Sequence, residues 1–63
     1  MAQRKTILIV DDDADLRSAL AEQLELHEEF ASAEAANGAD GVRLGKELKA
    51  DLILLDVDLP DMD

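Results

Sequence analysis

The sequence has no cysteine, so neither a disulfide framework nor a thiolate metal site can stiffen it. Aromatic residues are almost missing; Phe30 is the only one and is most simply a packing residue. Positive charge is scarce, with 6 Lys and Arg against 16 Asp and Glu for a net −10. That balance repels nucleic acid phosphates and anionic lipid and argues against direct binding to either. Long apolar runs are also lacking. The longest, Ile7 to Val10 and Leu52 to Leu55, hold four residues each, too few for a membrane span or a signal-peptide core. A soluble cytoplasmic protein without membrane partners is the expectation. What is there is a chain of 63 residues, 48% of them apolar, too hydrophobic for a disordered acidic tail and long enough for one small domain. A domain of that size buries only about 60% of its unfolded surface, so marginal stability is expected.

The two apolar runs organise the chain. Thr6-Ile7-Leu8-Ile9-Val10 and Leu52-Ile53-Leu54-Leu55 are apolar without alternation, the pattern of strands covered on both faces. Between them, Asp13 can cap a helix whose apolar stripe is Leu16, Ala19, Leu20 and Leu24, with Arg17, Glu22 and Glu25 largely off it. Phe30 to Ala36 has weak strand propensity but lies between two helical patterns, and is read as an edge strand closed by Asn37-Gly38. A second helix is expected from about Ala39 to Lys49, with Val42, Leu44 and Leu48 as its contacts. Gly41 and Gly45 cost it about 1 kcal/mol each, so it should depend on docking. Lys46 and Lys49 complement its C-terminal dipole. Strand, helix, strand, helix, strand is an α/β pattern, βαβαβ, with a parallel sheet and right-handed crossovers.

Both apolar strands end in acids: Asp11-Asp12-Asp13 after the first, Asp56 after the third. If the two strands are parallel neighbours, Asp11, Asp12 and Asp56 leave the sheet side by side. Carboxylates so close repel unless they are protonated or share a cation. Oxygen donors without His or Cys suit a hard ion, and Mg²⁺ takes one or two carboxylates plus a phosphate oxygen. Asp13 is better placed as a helix cap than as a ligand. Asp58, Asp61 and Asp63 are mostly loop solvation, and His27, beside Glu28 and Glu29, is a surface residue.

Ile7-Leu-Ile-Val-Asp-Asp-Asp13, Asn37-Gly38, and Asp51-Leu-Ile-Leu-Leu-Asp56-Val-Asp-Leu-Pro60-Asp-Met-Asp63 together resemble the receiver domain of two-component response regulators, over essentially the whole chain. The resemblance implies a flavodoxin-like fold, of which this chain is the first half, βαβαβ with sheet order 2-1-3. It implies that Asp56 is the phosphoacceptor, attacking a phosphohistidine on a sensor histidine kinase or phosphotransfer protein to give an acyl phosphate. Asp11, Asp12 and Asp56 hold Mg²⁺ in such a domain, and the backbone carbonyl of Asp58 is a further ligand. The module is a signalling switch and not an enzyme acting on other substrates.

The same resemblance sets expectations for what lies outside. A receiver domain is roughly twice this length, and its second half supplies a Ser or Thr and a Lys that contact the phosphoryl group. On that basis residues 1–63 are a truncated receiver domain, any output domain lies outside the chain, and the third strand becomes an exposed edge through which the chain self-associates. A receiver pattern starting this close to Met1 favours a stand-alone or N-terminal receiver. Two other classes compete. One is an Mg²⁺-dependent phosphohydrolase fragment, though such enzymes place an Asp-x-Asp nucleophile after strand 1, unlike the adjacent Asp11-Asp12 here. The other is a half-domain that self-assembles through strand 3 without phosphotransfer.

Overall fold

A computed structural model of the chain describes residues 4–55. In order they form β1 (Lys5–Val10), α1 (Ala14–Glu25), β2 (Phe30–Ala35), α2 (Gly38–Leu48) and β3 (Leu52–Leu55). The strands make one parallel sheet in the order β2-β1-β3, as expected. β1 is its centre: Lys5 to Val10 pair with Phe30 to Ala35, and Ile7 to Val10 pair with Leu52 to Leu55.

β2 and β3 lie on opposite sides of β1, so two crossovers of one hand carry α1 and α2 to opposite faces of the sheet. That is why β1 needs no alternation. Leu8 and Val10 face α2, while Ile7 and Ile9 point to the other face, and all four are buried. The core on the α2 side is Leu8, Val10 and Ala35, with Ala33, Leu44 and Ala50 packed against it. β2 shows how tertiary context overrides propensity: its alanines and serine form a strand because a buried β1 offers its full hydrogen-bonding edge.

Both helices dock differently from the expected stripes. In α1 the buried residue is Ala21, flanked by half-buried Arg17, Leu20 and Leu24, whereas Leu16 and Ala19 are exposed. The helix is turned toward Arg17, whose head reaches a backbone acceptor after β1 and a carboxylate on β2. In α2, Val42 and Leu48 are exposed, and the sheet-facing residues are Gly38, Gly41, Leu44 and Gly45. The glycines are therefore the contact surface and not merely weak points. A Cβ on Gly41 would meet Val10 Cγ2 at 2.8 Å, so only glycine lets the helix backbone lie this close to β1.

The helix ends follow from local chemistry. Asp13 caps α1, its side chain accepting from the Asp15 and Leu16 amides at 3.1 Å each. Asn37 caps α2 by accepting from the Asp40 amide at 2.8 Å, so the Asn37-Gly38 signal starts a helix. α2 ends at Lys49, in the left-handed region with φ 51°, and the Ala50 amide donates back to the Gly45 carbonyl at 3.2 Å. Phe30 is half-buried at the start of β2, edge-on to the exposed His27 ring with centroids 6.0 Å apart.

β3 is only partly covered on each face. Leu52, Ile53, Leu54 and Leu55 are 52%, 47%, 38% and 52% exposed, the open edge expected for strand 3 and not the two-sided burial that the apolar run alone suggests. Among the described residues, no helix is long and apolar enough to cross a membrane.

Candidate functional site

The order of the sheet reverses between β1 and β3: the chain steps from β1 outward to β2, then crosses back to β3 on the far side. In open α/β sheets ligands bind outside the carboxyl ends of the strands at such a reversal. Here those ends are Val10 and Leu55, which are level with each other in the register. Asp11 and Asp12 follow Val10. Asp56 follows Leu55 in the sequence, and Asp56 and Asp58 lie outside the described residues.

Asp11 is buried, 8% exposed, and its amide still donates to the Ala35 carbonyl at 3.0 Å, so it extends the sheet by one residue. Its carboxylate oxygen Oδ1 accepts from the Asp13 amide at 2.9 Å, turning the chain sharply out of the strand. Asp12 sits at the outside of that turn, exposed, and no protein donor among the described residues reaches its carboxylate. Asp13 is spent on the α1 cap, as the sequence predicts.

The residue that sequence patterning misses is Arg17. The helical pattern puts it largely off the apolar stripe, yet its side chain is 17% exposed. Its Nη1 donates to the Asp11 carbonyl at 2.7 Å and its Nε to Glu34 Oε1 on β2 at 3.1 Å. The signal that could have found it is its pairing with Glu34: a lone cation early in α1 and an acid near the end of the neighbouring strand. No buried side-chain polar atom among the described residues lacks a partner.

Beside the turn, Ile9, Val10, Asp11, Leu20, Leu54 and Leu55 line an open concavity of about 150 Å³. One carboxylate thus sits at the rim of an apolar hollow, and a second, Asp12, meets no donor among the described residues. Among the described residues no three acid, histidine or cysteine side chains converge as a metal set. The donors present are carboxylate oxygens, which suit a hard cation and not a soft one.

Comparison with known proteins gives the geometry its context. The chain is 46% identical over 57 residues to the transcriptional regulatory protein ResD of Bacillus subtilis, covering 90% of this chain and 23% of that protein. It is 43% identical over 59 residues to the chemotaxis protein CheY of Halobacterium salinarum, covering 94% of this chain and 48% of that one. It is 38% identical over 58 residues to the nitrate/nitrite response regulator protein NarL of Escherichia coli, covering 27% of it. The chain therefore spans about half of that CheY and about a quarter of the other two. No solved structure gives a significant match. The model of the response regulator receiver domain matches residues 7–63, from the central strand through the acids that follow β3. A match of that extent, on a parallel 2-1-3 sheet, shows that this chain belongs to the response regulator receiver domain family.

Proposed function

We propose that the chain is the phosphoacceptor part of a two-component response regulator, with Asp56 as the acceptor and a sensor histidine kinase or phosphotransfer protein as the donor. One observation carries the reading: the switch point between β1 and β3, where the register sets Val10 level with Leu55 immediately before Asp11 and Asp56 in the sequence. In the reaction a carboxylate oxygen of Asp56 attacks phosphorus, the P–O bond forms as the P–N bond of the phosphohistidine breaks, and the imidazole leaves with the electron pair. The product is an acyl phosphate on the chain and an unphosphorylated histidine on the donor.

Asp11, Asp12, Asp56 and the Asp58 backbone carbonyl would hold Mg²⁺. The exposed Asp12 carboxylate and the oxygen-only donor set fit that ion. When bound, Mg²⁺ supplies charge neutralisation between two anions that otherwise repel. This chain's own contribution is to fix Asp11 in the sheet, turn Asp12 outward and keep an apolar wall of Leu54 and Leu55 beside the site. As a switch module the chain acts on itself and not on other substrates, and the cytoplasm, where such kinases present their phosphohistidine, is the compartment proposed.

The test is phosphorylation of the full-length protein by a phosphorylated histidine kinase, read by intact mass and by hydroxylamine sensitivity of the adduct. Wild type should gain one hydroxylamine-labile phosphoryl group only with Mg²⁺ present, and Asp56→Asn should gain none. Labelling of Asp56→Asn equal to wild type would reject Asp56 as the acceptor.

The exposed apolar edge of β3 favours a second property, self-association of the 63-residue chain through that strand. Light scattering should give a mass above that of one chain, and a Leu54→Lys substitution should lower it. A monomer at high concentration would exclude it.

A further inference from the structure

Arg17 joins three elements at one point. It projects from α1, donates to the carbonyl at the end of β1, and pairs with Glu34 on β2. The peptides of the acid turn are each held by a different partner. The one before Asp11 is held by the Ala35 carbonyl at 3.0 Å, and the one before Asp13 by Asp11 Oδ1 at 2.9 Å. The middle one, joining Asp11 to Asp12, is held by Arg17 through the Asp11 oxygen at 2.7 Å. Because a peptide is planar, holding that oxygen restrains the plane from which Asp12 departs.

An arginine beside a cation site needs explaining, since like charges oppose one another. The guanidinium is already paired with Glu34 at 3.1 Å, which offsets its charge locally. What remains is geometry. A guanidinium presents separate N–H groups in a rigid plane and can serve a carbonyl and a carboxylate together, whereas a lysine ammonium is a point donor on a flexible stem.

We infer that Arg17 is a positioning residue for the cation site: clamped to Glu34, it holds the Asp11–Asp12 peptide so that the Asp12 carboxylate is presented outward to the divalent ion. The inference rests on the Mg²⁺ reading given above. It makes a prediction of sign. Removing a nearby positive charge should tighten Mg²⁺ binding if Arg17 acts only by its charge, and should weaken it if Arg17 acts by position.

The experiment is Mg²⁺ titration of the full-length protein by calorimetry, with amide chemical shifts of Asp12 and Asp13 followed by NMR and urea denaturation run in parallel. Arg17→Met removes the charge and keeps the stem, Arg17→Lys keeps the charge and loses the fork, and Glu34→Gln keeps the acceptor. Both Arg17 variants should bind Mg²⁺ about 10–100-fold more weakly, the range typical when a partner that orients a metal ligand is lost. Glu34→Gln keeps the acceptor but leaves the guanidinium charge without its offset, so it should weaken Mg²⁺ binding less than either Arg17 variant, and the Asp12 amide should shift in the Arg17 variants even without Mg²⁺. Tighter binding by Arg17→Met, or wild-type affinity in both Arg17 variants with only lower stability, overturns the positioning role. If Arg17→Met does not fold, Arg17→Lys decides alone. A wild-type protein that binds Mg²⁺ no better than Asp12→Asn removes the cation reading and this inference with it; a wild-type affinity untouched by Arg17 substitution removes the inference only.

Discussion

Asp51 and Thr6 hold each other by both backbone and side chain: the Asp51 amide donates to the Thr6 carbonyl at 2.9 Å, and the Thr6 amide donates to Asp51 Oδ2 at 2.7 Å. The carboxylate stands in for a strand carbonyl and begins the β1–β3 ladder one residue before β3 itself. Asp51→Ala should lower unfolding stability by about 0.5–1.5 kcal/mol, the net worth of one such bond at an exposed site. Asp51→Asn, which keeps an acceptor oxygen, should lose less. Urea denaturation of the two variants separates them; equal losses would show that the bond contributes nothing.

Two of the inward glycines of α2, Gly41 and Gly45, should respond in opposite ways to alanine. At Gly45 a Cβ would sit 3.3 Å from the terminal methyl of the half-exposed Ile53 side chain, which can give way, so the helix propensity gain of about 1 kcal/mol should prevail. At Gly41 it would press against the buried Val10 at 2.8 Å, and overpacking of about 1–3 kcal/mol should outweigh the same gain. Thermal melts would then rank Gly45→Ala at or above wild type and Gly41→Ala below it.

Lys49 occupies the left-handed region with a side chain that disfavours it. Lys49→Gly should stabilise the chain by about 0.5–1 kcal/mol, the left-handed penalty less the extra backbone entropy of glycine. A β-branched Lys49→Val should destabilise it. Chemical denaturation midpoints give the comparison.

Loss of the α1 cap in Asp13→Ala should cost about 1 kcal/mol, and Asp13→Ser should restore most of it. Because Asp13 accepts from α1 amides and is not counted among the metal ligands, neither variant should abolish Mg²⁺ binding. Calorimetry at a temperature where both remain folded would check this.

Most of the architecture was legible because its signals are dense. β1 and β3 are uninterrupted apolar runs, and each is followed by acids, which marks both the strands and the end of the sheet to examine. The Asp13 cap was legible from residue type and position, whereas Asn37-Gly38 is read from sequence as the close of β2 and proves to cap α2. β2 was the weak point, since Ala-Ser-Ala prefers neither state and becomes a strand only through pairing with β1. Helix orientation was the part misread. A stripe counts apolar side chains, but α1 turns an arginine inward to reach two acceptors, and α2 docks through glycines that carry no side chain to count. Of the candidate site, Asp11 and Asp12 follow the end of β1, while Asp56 and Asp58 lie outside the described residues.

The parallel pairing of β1 with β3 has a kinetic consequence. Parallel neighbours cannot be joined by a tight turn, and here the link between them is α1, β2 and α2 together, with Thr6 and Asp51 45 residues apart in sequence. Closing so long a loop costs entropy before the contacts repay it, so Val10 and Leu55 should meet late in folding. Any partial opening that releases β3 parts them again. Chemistry that needs both strand ends is therefore confined to fully folded molecules, and the competent fraction at any moment follows the folding equilibrium of the whole chain.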